Sequence, residues 1–405
     1  MRPGSILDPA LETAGEGVRR AYQLRRLREA VAHARASSSH FRRLLPPEVT
    51  ELSQIPITRK DDLPGLQAAE PPFGGLLGVP LGQLQRIFAS PGPILDPQGA
   101  GDDYWRFRMG LAAAGFQRGD VVINSASYHL TPLGFMLDNA ARSLGCVVVP
   151  AGVGQTDIQV RVAHALRATG YLGTPSFLYA LVKRGKEVGT PLAIETAFVT
   201  AEMLPESLRA ELETDFGVRV LQGYGTADLG LVAYECPEKG GMHLHPESIV
   251  EVLDLEGGGD AAPGQPGQLV VTIFDPAYPL LRFATGDIGT LAPPRPCPCG
   301  RTAPKLAGLL GRVGDAVKVK GMFIRGGEIA KALEAFPQIV RFQVVITRAQ
   351  HLDHLEYVLE PSAGSAIDLD KVAESLREVV KVRGEIRVGV VAEGAKRIDD
   401  RRVWS

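Results

Sequence analysis

The chain has 405 residues, 45% hydrophobic and 22% charged, with 44 Lys plus Arg against 46 Asp plus Glu for a formal net charge of −2. Such a length asks for two or three domains, and the balance is that of a soluble protein with a packed core, not a disordered chain. Near-neutral charge argues against a general nucleic-acid binder, and no apolar run reaches the ~20 residues of a membrane helix. Four cysteines are too few for a disulfide scaffold, and residues 1–45 lack the apolar core of a secretory leader, so the expected compartment is the cytoplasm.

Residues 13–36, rich in Leu, Ala, Arg and Glu, predict one long surface helix ended by the serines at 37–39. Residues 55–63 predict an extended entry into a helix, with Thr58 as its N-cap. Beyond residue 104 the pattern alternates. Helices are expected over 104–114, 132–144, 155–168, 176–185 and 205–215, and strands over 120–124, 146–149, 171–175, 196–199 and 218–221. Short apolar runs between amphipathic helices predict a mostly parallel sheet covered on both faces. Near residue 243 the chain turns β-rich, over 249–253, 267–274 and 281–291, which predicts an appended antiparallel part. A break near 311–315 precedes a small unit with strands at 317–319, 341–347, 355–360 and 386–391 and helices at 327–335 and 369–380. The expected fold class is therefore α/β: a large N-terminal domain, 1–311, with mostly parallel sheets under helices and a β-rich part at about 243–311, then a mobile C-terminal α+β domain, 312–405.

A parallel sheet places ligands at the carboxyl ends of its strands. Three strand-end segments carry unusual residues: 222–228 (Gln-Gly-Tyr-Gly-Thr-Ala-Asp), 281–287 (Leu-Arg-Phe-Ala-Thr-Gly-Asp), and 311–321, where Arg312 and Lys318 flank a glycine-containing junction. In this order and with these gaps they resemble the adenylate-forming superfamily of acyl-CoA synthetases, in particular its phenylacetate–CoA ligase branch. Residues 55–63 resemble that branch's "P-x-T-x-K-x-D-L" segment, Ala201-Glu202 its "G-A-E-P" turn, Tyr224-Gly225-Thr226-Ala227-Asp228 its "Y-G-x-[ST]-E" motif, and Thr285-Gly286-Asp287 its "T-G-D".

The resemblance implies a two-step, ATP- and Mg²⁺-dependent reaction. A carboxylate attacks the α-phosphorus of ATP to give an acyl-adenylate and pyrophosphate, and the thiol of coenzyme A then displaces AMP. It implies that Asp287 holds the ribose hydroxyls, since two acceptor oxygens suit a vicinal diol. Tyr224 would stack on adenine within the Tyr224-Gly225-Thr226 turn, Ala201 and Glu202 would lie beneath the base, and Arg312 and Lys318 would meet the nucleotide. Asp228 stands in for the family glutamate associated with Mg²⁺. In the tail 393–402, Lys396 matches either the catalytic lysine displaced by one position or the basic residue beside it.

One departure bears on the chemistry. The family's phosphate loop reads "S-S-G-T-T-G-K-P"; here residues 88–97 read Phe-Ala-Ser-Pro-Gly-Pro-Ile-Leu-Asp-Pro, so only Ser90 and Gly92 remain, Pro91 and Pro93 lack N–H donors, and Asp96 adds negative charge. The alternative to a ligase is thus a non-catalytic AMP/CoA-binding homologue, and transfer to an amine or protein would share the first step.

Cys236, His243, Cys297 and Cys299, with His245 as substitute for His243, form a candidate structural zinc set of three thiols and one imidazole. Some members of the branch carry a comparable cluster, and Cys146 reads as a core residue. For the acyl pocket, Tyr128 and His129 follow a strand end and Gly152 and Gly154 supply an opposite wall; His129 reads equally as a helix cap. The partners expected are a small, aromatic carboxylic acid and coenzyme A, with no nucleic acid and no membrane. A homodimer is the default oligomer.

Overall fold

The computed structural model describes residues 4–90, 93–254, 259–313, 316–320, 322–349, 352–362 and 364–402. They fall into two units, one running to Ala201 and from Arg209 to Leu310, the other comprising 202–208 and the chain from Gly311 onward.

In the first unit, the helix expected over 13–36 is α2 (Glu16–Ser37), preceded by a short helix α1 (Pro9–Glu12). Leu27, Val31 and Ala34 form the buried stripe of α2. Ser38 caps the next helix, α3 (Ser39–Leu44), by accepting from the Phe41 N–H at 3.2 Å. Thr58 is a strand residue, not the predicted N-cap: β1 (Thr58–Arg59) lies parallel to Phe283 and Ala284, and α4 (Leu63–Ala69) starts later. Pairing with a distant strand outweighs the local capping signal. A hairpin absent from the sequence reading follows, β2 (Arg86–Ser90) against β3 (Ile94–Gln98).

The alternating pattern then appears as expected: α5 (Phe107–Ala114), β4 (Val121–Asn124), α6 (Leu133–Ser143), β5 (Val147–Pro150), α7 (Thr156–Ala165), β6 (Gly170–Gly173), α8 (Pro175–Glu187), β7 (Thr196–Val199), α9 (Glu206–Asp215) and β8 (Arg219–Thr226). Strands β8, β7, β6, β4 and β5 are adjacent in that order and parallel. Every residue of β6 and β7 is buried, which explains their unbroken apolar runs. Thr174 starts α8 by accepting from Phe177 N–H, with Pro175 in the first turn.

The β-rich part is not a separate sheet. From β8 the chain doubles back as β9 (Gly230–Tyr234), and β10 (Met242–Leu244), β11 (Ser248–Leu253), β12 (Gly267–Ile273), β13 (Phe283–Leu291) and β14 (Lys305–Arg312) continue one twelve-stranded sheet, with β1 beside β13. The reversal depends on glycine. A Cβ at Gly225 would stand 2.5 Å from the Gly230 carbonyl oxygen, and Gly230 itself has φ +71°.

The second unit holds the hairpin β15 (Ala316–Val319) and β16 (Met322–Arg325), helix α10 (Gly326–Leu333), strands β17 (Ile339–Ala349) and β18 (Leu352–Pro361), helix α11 (Leu369–Val380), and strands β19 (Glu385–Val388) and β20 (Ile398–Asp400). Its main sheet runs β19-β18-β17-β20. Asp368 caps α11, whose Val372 and Leu376 pack with Val344, Ile346, Leu355 and Leu359. Gly314, in the glycine-containing junction at 311–321, lies outside the described residues. No described helix is long and apolar enough to cross a membrane.

Candidate active site and metal centre

The β8–β9 turn and strand β13 deliver the first pair of side chains. Tyr224 lies on β8, 6% exposed, and its hydroxyl donates to Asp287 Oδ2 at 2.8 Å. Asp287 is seated on β13 by its own N–H, which donates to Thr285 Oγ1 at 3.0 Å. Thr226 Oγ1 accepts from the Leu229 N–H at 3.1 Å and so closes the turn. Two motifs far apart in sequence thus share one hydrogen bond, and the tyrosine fixes the orientation of the carboxylate.

Asp228, at the end of the same turn, is turned inward. Its side chain is 0% exposed, and the Lys60 ammonium donates to its Oδ2. Asp96 on β3 is buried beside it; burial, with the like charge of Asp228 second, pushes the Asp96 carboxyl up to about 8. The negative charge that Asp96 was expected to add to the phosphate loop therefore belongs to an interior group. Ser90, the last residue of β2, is buried as well, and Gly92 lies outside the described residues. Ser90 pairs with Ile94 across the β2–β3 hairpin.

Ala201, with φ +70°, closes the first segment of the large unit, and Glu202 belongs to the other. Arg312 ends β14 and is also in the second unit. Lys318 is on β15, opposite Phe323, and its side chain is outside the described residues. Lys396 is exposed in the turn before β20, where its carbonyl accepts from Gln343 Nε2 at 3.1 Å.

The expected acyl residues divide. Tyr128 is partly buried, donating to Asp138 Oδ2 at 2.9 Å and accepting from Asn124 Nδ2 at 2.7 Å. Burial and the Asp138 charge hold its phenol above the ordinary range. His129 is exposed. Gly152 and Gly154 are held by a residue that sequence reasoning passed over: Gln159 Nε2 donates to their carbonyls at 2.8 and 2.7 Å while its Oε1 accepts from Ser125 Oγ at 2.7 Å. A glutamine on an amphipathic helix gives no sequence signal of that clamp. A cavity of about 590 Å³ in this unit, lined by Gln83, Asp103, Tyr104, Arg106 and Asp275 among others, contains none of these four.

The cysteine cluster assembles. The ligand atoms of Cys236, His243, Cys297 and Cys299 all lie within 4.8 Å of one another. The Cys236 and Cys297 sulfurs are 3.6 Å apart, and Cys299 Sγ is 3.5 Å from His243 Nε2. Four donors at about 2.3 Å from a central ion occupy tetrahedron corners roughly 3.8 Å apart, so shifts of the ligand atoms of about 1 Å or less fit the set to zinc. His243 Nδ1 is 3.1 Å from the Ala303 carbonyl, the outer contact that leaves Nε2 for a metal. His245 is not part of the cluster; its Nδ1 accepts from the Glu247 N–H at 3.2 Å. Cys146 is a buried core thiol.

Residues 104–272 match the model of the AMP-binding enzyme family. Over 95% of its length the chain is 31% identical to phenylacetate–coenzyme A ligase of Thermus thermophilus, covering 94% of that protein. It is 26% identical to the Escherichia coli (strain K12) phenylacetate–coenzyme A ligase over 87% of this chain and 85% of the other. A crystal structure of 2-hydroxyisobutyryl-CoA ligase in complex with 2-HIB-AMP and CoA shares the fold, with a TM-score of 0.88 at 24% identity, over 97% of this chain and 92% of that one. The chain belongs to the phenylacetate–CoA ligase branch of the adenylate-forming superfamily.

Proposed function

We propose that the protein is an ATP-dependent carboxylate–CoA ligase acting on a small aromatic acid. The acid carboxylate attacks the α-phosphorus of ATP, expelling pyrophosphate, and the thiol of coenzyme A then attacks the acyl carbon and releases AMP. Family membership supports this reaction, and the relatives' names favour an arylacetic acid. The observation that carries the residue assignment is the Tyr224–Asp287 hydrogen bond. A carboxylate oriented by a phenol is suited to accept from both hydroxyls of a ribose. In this reading the Tyr224-Gly225-Thr226 turn and Ala201-Glu202 border the base, Arg312 and Lys318 serve the phosphates, and Lys396 offsets charge as the adenylate forms. Tyr128, His129, Gly152 and Gly154 border the acid.

Zinc bound by Cys236, His243, Cys297 and Cys299 would be structural, since four protein ligands leave no open position for substrate. It would pin β10 to the 297–303 segment. Mg²⁺ does not fit Asp228 as that residue is placed, because its side chain is sealed and one oxygen is already engaged by an ammonium.

The lysine and hydroxyls missing from residues 88–97 favour a second reading, a homologue that binds AMP and CoA without adenylating. Acid-dependent pyrophosphate release, followed by acyl-CoA formation, separates the two. Release with phenylacetate or a related acid supports the ligase. No release with any aryl or short-chain acid, alongside tight AMP binding, supports the binding homologue.

A further inference from the structure

Apart from the Tyr224–Asp287 pair, three charged side chains meet in the interior of the first unit. Lys60, just after β1, reaches Asp228 in the β8–β9 turn, with side chains 9% and 0% exposed. Asp96 comes from β3 and is 2% exposed. The groups acting on it are Asp228, Lys60 and Ser90, and Tyr278, from the segment between β12 and β13, faces both carboxyls. Gln67 on α4 is committed to the Leu95 backbone, at 2.9 Å to both its amide and its carbonyl. Neither oxygen of Asp96, nor Asp228 Oδ1, nor the hydroxyls of Ser90 and Tyr278 has a well-formed hydrogen bond among the described residues.

Two carboxylates facing one ammonium leave a net negative charge, which a water-free interior does not tolerate uncompensated. A divalent cation would have to share Asp228 with a lysine ammonium already on it, against like-charge repulsion. A proton needs no extra room, and it supplies a donor to oxygens that otherwise have none. We propose that Lys60, Asp228 and Asp96 form a closed, metal-free cluster. The lysine takes the place of the divalent cation implied at Asp228, one proton shared by the two carboxyls balances the remaining charge, and the cluster positions the Tyr224–Asp228 turn without touching nucleotide. Lys60 and Asp96 are thus positioning residues. The raised Asp96 carboxyl agrees with this, and the proton belongs to the pair. The effect on catalysis rests on the ligase reading; the cluster does not.

Two measurements on the full chain need no activity. A buried acid with a raised value supports the fold fully below the ordinary aspartate range and loses that support as pH climbs towards about 8. Between roughly pH 5 and pH 8, the Tm of the wild type is therefore expected to fall relative to Asp96→Asn, after which the two curves run parallel. Parallel curves over the whole range would overturn the shared proton. Second, Mn²⁺ titrated into nucleotide-free protein and followed by electron paramagnetic resonance is expected to bind identically in wild type and Asp228→Asn. A binding site lost with Asp228 would overturn the metal-free assignment. Should Asp228→Asn fail to fold, the charge-balanced pair Lys60→Met with Asp228→Asn gives the same comparison. In the active enzyme, Asp228→Asn should reach half-maximal pyrophosphate release at the wild-type Mg²⁺ concentration, and a several-fold shift would contradict the proposal. If the wild type releases no pyrophosphate, the ligase reading fails, while the Tm and Mn²⁺ results still decide on the cluster.

Discussion

The 2.8 Å hydrogen bond from Tyr224 to Asp287 joins residues 63 positions apart and has a consequence for ATP binding. A hydrogen bond to a charged group is worth about 1.5–3 kcal/mol. Tyr224→Phe keeps the ring and loses the donor, so KM for ATP should rise on the order of 10- to 100-fold with a smaller change in kcat. Steady-state kinetics at saturating acid checks this, and an unchanged KM would separate the tyrosine hydroxyl from nucleotide binding. Lys396→Ala should lower acid-dependent pyrophosphate release by about 10²–10³-fold if its ammonium meets the developing charge, and an unchanged rate would reject that role. Each member was legible in sequence because it stands beside a glycine in a motif that resembles the family's, whereas the hydrogen bond between them was not. Lys60 and Asp96 were not. A lysine beside two aspartates reads as a solvated surface, and an aspartate between leucine and proline gives no hint that β3 turns it inward.

Among elements, α9, β8 and β9 are tied together behind the β8–β9 turn by one buried ion pair. Arg209 NH1 and NH2 donate to Glu235 Oε2 and Oε1 at 3.0 and 2.8 Å, and the Gln222 backbone N–H and side-chain Nε2 donate to the same carboxylate. Both charged side chains are at most 4% exposed. Removing one partner strands a buried charge, so Glu235→Ala should cost about 3–5 kcal/mol, measured by denaturant unfolding. Arg209→Met combined with Glu235→Ala should cost less than the single change, and a larger loss would contradict the account. Phe198, fully buried on β7, packs edge-on against Phe107 of α5 at 6.4 Å between ring centroids. Phe198→Ala should lose about 3–5 kcal/mol in the same assay. The parallel half of the sheet was readable because strands covered on both faces must be short and apolar throughout. The β2–β3 and β8–β9 hairpins were missed because their glycines, prolines and inward-facing polar residues break the two-residue period that marks a half-buried strand.

For the whole molecule, the Cys/His cluster should hold about one zinc per chain, since its geometry matches a closed four-ligand site. Elemental analysis after exhaustive dialysis checks the stoichiometry, and chelation should lower Tm as the segment around residues 297–303 is released. Full stability after complete chelation, with no zinc found beforehand, would contradict a structural metal. The α/β class was legible from the alternation of apolar runs with amphipathic helices, and the family, with the two-step reaction it implies, from the order of three glycine-containing motifs. Continuity of the parallel and antiparallel parts was not, because a single pairing, β8 with β9, joins them, and local periodicity carries no information about which strands become neighbours. The most direct measurement is pyrophosphate release from ATP in the presence of phenylacetate and coenzyme A, comparing wild type with Asp287→Ala. The account predicts acid-dependent release and acyl-CoA formation by the wild type, reduced by two orders of magnitude or more, roughly 100-fold at least, in the variant. Equal rates in both proteins, or no release across a panel of aryl and short-chain acids, would contradict it.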